Sequence, residues 1–142
     1  MKDLARGPFL MEKEREKMYQ RDTELEGILY EVMEEHENIS HLKELRIVAL
    51  VCDKVKRKGD SIVYADCSKV TPKMEALCDA DFVITFYLPN IDGISPNALR
   101  TLCWHELMHV GWDGRKKTTV PHNLEDFREI IEAHGVNWID EQ

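Results

Sequence analysis

Little in this sequence is of the kind that marks a membrane protein, a disulfide scaffold or a nucleic-acid binder. No apolar run approaches the ~20 residues needed to span a bilayer. The four cysteines, Cys52, Cys67, Cys78 and Cys103, include no CxxC pair, which argues against a structural zinc knuckle. Positive charge is in short supply: the net charge is −8, whereas a general nucleic-acid binder needs a basic face for phosphates. There is no internal repeat, no low-complexity tract and no linker that would split the chain. The opening residues, Met-Lys-Asp-Leu-Ala-Arg-Gly-Pro, lead into a charged run and not into an apolar signal segment. The expectation is a cytoplasmic protein with reduced thiols, no membrane partner and no nucleic-acid partner.

What is present suits one folded domain. The chain has 142 residues and a hydrophobic fraction of 43%, enough for a single core. Residues 11–20, "MEKEREKMYQ", are mostly charged or polar and read as a solvated surface helix. Residues 1–22 are thus expected to form a charged helical extension, and residues 23–142 the domain proper. Thr23 and Glu26 fit a capping box ahead of Leu25, Ile28, Leu29, Val32 and Met33, which recur at helical spacing. His36 closes that stripe as a polar end. Leu45 to Asp53 reads as a buried strand, "SIVYADCSKV" as a second, and Asp81 to Pro89 as the clearest strand. Thr71-Pro72 predicts a short helix through Leu77.

Ser95-Pro96 starts a further helix, expected to run to about Val110 with Gly111 stopping it. That helix carries His105-Glu106-Leu107-Met108-His109, an HExxH pattern. On a helix, positions i and i+4 share a face, so both imidazoles can reach one ion. Zinc accepts neutral histidine nitrogens, and Glu106 can serve as general base beside the activated water. A third ligand must come from elsewhere. The metzincin pattern fails, because Gly111 is one position early and no histidine follows in place. Glu125 and Glu129, on a helix capped by Asn123 and Asp126 and ended by Gly135, are candidates, but the "GWDGRKKTTVP" loop is short for them. His122, 13 positions after His109, is favoured. Trp104 and Trp112 read as core or cleft-wall residues, and Cys103 as packing. His134 reads as a histidine at a helix end.

Three segments, "DADFVITFYLPN", "ALRTLCWHELMHVGWD" and "VPHNLEDFREII", together resemble the phage metallopeptidases, relatives of the SprT-like zincins, over roughly Leu42 to Gly135. The resemblance implies an α+β, zincin-like half-fold over residues 23–142. Its parts are a small mixed sheet of three to four strands, helices packed on one face, and a site between the HExxH helix and the edge strand. It also implies His105, His109 and His122 as metal ligands, Glu106 as the catalytic residue, and a phage or prophage origin. SprT-type proteins acting on DNA-bound substrates usually carry basic or zinc-ribbon regions. This chain has neither, so DNA-linked proteolysis is not implied.

The function expected is a zinc-dependent metallopeptidase that hydrolyses peptide bonds with Glu106 as general base. A protein or peptide substrate would add to an exposed strand, Asp81 to Leu88, by backbone pairing. Tyr87 or His134 would steady the oxyanion. The alternatives are a non-catalytic, zinc-stabilised interaction module and a binding protein without metal. Glu106 speaks for the enzyme, since a purely structural site has no use for a carboxylate beside the water position.

Overall fold

The computed structural model describes residues 18–122. The chain builds a small mixed sheet with helices laid against it, an α+β arrangement. Among the described residues the main sheet has four strands: β1 (Tyr19–Arg21), β2 (Ile47–Cys52), β5 (Ala65–Lys69) and β6 (Phe82–Tyr87). Their order is β1-β2-β6-β5. Strand β1 runs antiparallel to β2, β2 parallel to β6, and β5 antiparallel to β6. Between β2 and β5 lies a separate two-stranded ribbon, β3 (Arg57–Lys58) with β4 (Ser61–Ile62), turning at Gly59 with φ +63°.

Strand β6 explains the core. It pairs on both sides and carries Phe82, Ile84 and Phe86, each fully buried. Helix α1 (Thr23–Glu35) lays Leu25, Leu29, Val32 and Met33 into that core. Helix α4 (Pro96–Leu107) adds Leu102, Cys103 and Leu107. Helix α1 packs on β2, α4 packs on β5, and the two helices touch each other, so both lie on the same face. Arg100 joins them by forking to Glu31 and Glu35. Among the described residues there are also two single helical turns, α2 (Pro72–Glu75) and α3 (Leu88–Ile91). Among the described residues no helix is long and apolar enough to cross a membrane.

Several local expectations are corrected. Tyr19–Arg21, placed by sequence in the helical extension 1–22, is a strand, because the β2 edge offers its backbone a ladder. The N-cap of α1 is Asp22, whose carboxylate accepts from the Leu25 amide at 2.9 Å. Glu26 instead takes the Arg21 guanidinium at 2.7 Å and the Ala49 amide at 3.2 Å, fastening the helix to β1 and β2. A 3₁₀ segment, Glu37–Glu44, fills the link to β2. The second expected strand divides into β4 and β5. The clearest strand ends at Tyr87, because Leu88-Pro89 already turns into α3.

Candidate metal centre

Helix α4 begins as the sequence predicts: Ser95 Oγ accepts from the Ala98 amide at 3.1 Å, with Pro96 in the first turn. It ends three residues early, at Leu107. The Met108 amide bonds to the Trp104 and His105 carbonyls, and the His109 amide to the Glu106 carbonyl at 3.1 Å. The last turn is thereby tightened into 3₁₀ geometry. His105 and Glu106 stand on the helix, and His109 stands just past it.

Beyond His109 the chain enters a hairpin, β7 (Val110–Trp112) with β8 (Lys117–Thr119). Gly114, at φ +97°, and Asp113 make the turn; Asp113 Oδ1 accepts from the Arg115 and Lys116 amides at 2.9 and 2.8 Å. Those amides hold the Asp113 carboxyl below its ordinary range. Gly111 is not a helix stop. It sits in β7 opposite Thr118, where an added Cβ would come within 2.5 Å of Thr118 Oγ1 and 2.9 Å of Val120 Cγ2. Gly111→Ala should therefore destabilise the fold by about 1–3 kcal/mol through overpacking, read by denaturant unfolding. An unchanged midpoint would mean that the hairpin has slack at this point.

The hairpin delivers the third histidine. The Val120 amide donates to the His109 carbonyl at 2.7 Å, and His109 Nδ1 lies 2.7 Å from the Val120 carbonyl. A carbonyl can only accept, so Nδ1 carries a proton, and in the neutral ring the lone pair is then on Nε2. Two residues on, His122 Nε2 lies 3.0 Å from His105 Nε2. The three rings are 4.6–5.2 Å apart between centroids, and one ring nitrogen from each lies within 4.8 Å of the others. His105 and His109 are half-buried, and His122 is exposed.

This cluster can hold a metal ion. All three donors are imidazole nitrogens, and His109 is already oriented by a backbone carbonyl, as metal-ligating histidines usually are. Two nitrogens bound to one zinc at about 2.0–2.1 Å in a tetrahedron stand about 3.3 Å apart, close to the spacing of His105 and His122.

The sequence pattern of a family described as "Putative phage metallopeptidase" matches residues 17–141. The chain belongs to that family. No curated protein and no solved structure matches it. Family membership implies a metal, and the three histidines are a place for one.

Around the histidines of this family member, Glu106 is 4% exposed, with Oε2 4.0 Å from His105 Nε2. Cys67 on β5 feels its charge: burial first, then Glu106, pushes that thiol far up. Burial pushes the Cys103 thiol up to about 12, with Glu106 adding to the rise. Among the described residues the group that could hold an ion consists of the three histidines and includes neither thiol.

The other candidates separate. The Tyr87 hydroxyl donates to Asp66 Oδ2 at 2.8 Å and accepts from Lys56 Nζ at 3.3 Å. Burial, with Asp66, pushes it up to about 12. Its proton is thus spent on Asp66, which leaves it a poor oxyanion donor. Glu125, Glu129, His134 and the helix that Asn123 would begin lie outside the described residues. Trp104 stacks on His36 at 3.8 Å, and Trp112 lies parallel to His41 at 6.4 Å. Sequence reasoning missed both pairs and the Val120 carbonyl; a backbone acceptor carries no side-chain signal.

Proposed function

We propose that the chain is a zinc-dependent peptidase, with His105, His109 and His122 as ligands and Glu106 as general base. The observation that carries this reading is the convergence of three imidazoles, two at the end of α4 and one just beyond the β7–β8 hairpin, with a buried carboxylate beside them. The donor set favours zinc over calcium or magnesium, which demand oxygen ligands. Zinc bound there would supply Lewis acidity and bring a water's pKa to about 7.

The rest is done by the chain's own groups. Glu106 is carried by the same helix turn as His105 and is shielded from bulk solvent, so its carboxylate can take a proton from the attacking water and pass it to the leaving amide nitrogen. Val120 keeps His109 in one tautomer and one orientation. The substrate strand has to be reassigned. Strand β6 is paired on both sides and has no edge for a peptide. Among the described residues strand β5 ends the sheet; it touches α4 and lies near Glu106, so a peptide adding to its outer edge would bring a carbonyl toward the histidines.

Metal analysis of protein purified without added zinc should find close to one equivalent per chain, and a quenched-peptide library should be cleaved in a chelator-sensitive way. A chain that takes up no zinc when supplied with it would overturn the site. One equivalent of zinc with no cleavage of any peptide would leave the interaction-module reading.

A further inference from the structure

We propose that Lys117 is a positioning residue for the metal centre, clamping the hairpin that carries His122 to the body of the fold. The inference rests on the three-histidine reading above. His122 is exposed and lies beyond the last strand of the hairpin, so its place depends on where β8 is held. From β8 onward the chain has little freedom. Val120 exchanges two hydrogen bonds with His109, and Pro121 fixes its own φ near about −65°.

The Lys117 side chain ties β8 to α2 and to the start of β6. Its ammonium donates to Glu75 Oε2 at 2.8 Å on α2 and to Asp81 Oδ1 at 2.9 Å, at the entrance to β6. Asp81 is an anchored partner. It is 7% exposed, and its other oxygen accepts from the Arg46 amide at 2.8 Å. Burial pushes its carboxyl up, but the Arg46 amide and the Lys117 ammonium outweigh that and hold it below the usual range. The same two carboxylates raise the Lys117 ammonium, so the clamp is charged throughout the neutral range. Lys117 thus links the hairpin to two points of the connection between β5 and β6, and β8 also packs on β5. Without the ammonium, Asp81 keeps the Arg46 guanidinium, 3.7 Å from Oδ2, but its Oδ1 loses the hydrogen bond that ties it to β8.

Zinc affinity, measured by chelator competition on the full chain, tests this in four forms: unaltered, Lys117→Met, His122→Ala and the double variant. Lys117→Met should weaken zinc about tenfold or more, the scale seen when a residue that orients a ligand is lost. Lys117→Arg should restore most of it. In the His122→Ala background Lys117→Met should change little, because the two act through one group. Cobalt-substituted Lys117→Met should show an altered d–d spectrum, which a loss of overall stability would not produce.

If Lys117→Met fails to fold, Glu75→Gln, at the more exposed partner, should show the same pattern at smaller amplitude, and an unchanged affinity there overturns the proposal. If His122→Ala binds zinc as tightly as the unaltered chain, the three-histidine reading falls and this proposal with it. If His122→Ala weakens zinc and Lys117→Met does not, only the positioning role falls. Equal losses from Lys117→Met with and without His122 likewise overturn it.

Discussion

Glu106→Gln should keep the metal and lose hydrolysis by about 10²- to 10⁴-fold, the range that a general base contributes. Glutamine has nearly the shape of glutamate and fills the same buried place, where the native side chain is only 5% exposed. It cannot accept a proton. The three imidazoles do not depend on it, since His109 is oriented by Val120 and His122 by the hairpin. Metal content and peptide cleavage must be measured on the same sample. Loss of zinc from Glu106→Gln would make Glu106 a ligand or a structural partner, and undiminished cleavage would remove it from the reaction altogether.

How much of this could be read without coordinates depends on how local each signal is. Helix starts were legible at Ser95-Pro96 and Thr71-Pro72, because a cap and a proline act within four residues. The convergence of His105 with His109 was legible too, although the second imidazole lies just past the helix and not on it. Helix ends were not. Leu107 ends α4 because Val110 to Trp112 finds a partner strand at Lys117 to Thr119, and nothing in "HELMHV" announces that competitor. For the same reason β1 is not legible as a strand: its structure comes from β2, about thirty residues away.

The substrate strand is the instructive error. "DFVITFY" is apolar on every residue but one or two, with no alternation, and such a run belongs in the middle of a sheet where both faces are covered. "ADCSK", half polar and partly exposed, has the look of an edge. An incoming strand needs an unpaired edge, which a strong apolar run does not supply. The Lys117 clamp, by contrast, was out of reach. Its partners lie 36 and 42 positions earlier, and a lysine in a charged loop has no feature that distinguishes it from its neighbours Arg115 and Lys116.

His122→Ala should weaken zinc by more than the ~10- to 100-fold that follows loss of a residue which only orients a ligand. Two histidines and water would be left to hold the ion, and zinc sites built for hydrolysis keep three protein ligands. The apo protein should lose little stability, since His122 is exposed and the hairpin is held by its own ladder and by Lys117. Glu125→Ala and Glu129→Ala should leave affinity near that of the unaltered chain. Chelator competition on the three variants separates the outcomes. If either glutamate proves the damaging change and His122 does not, the site is of the two-histidine, one-glutamate type, and the 3.0 Å approach of His122 to His105 is only a contact between neighbouring rings. If none of the three matters while zinc still binds, the third ligand is another residue, and His134 is the first to replace.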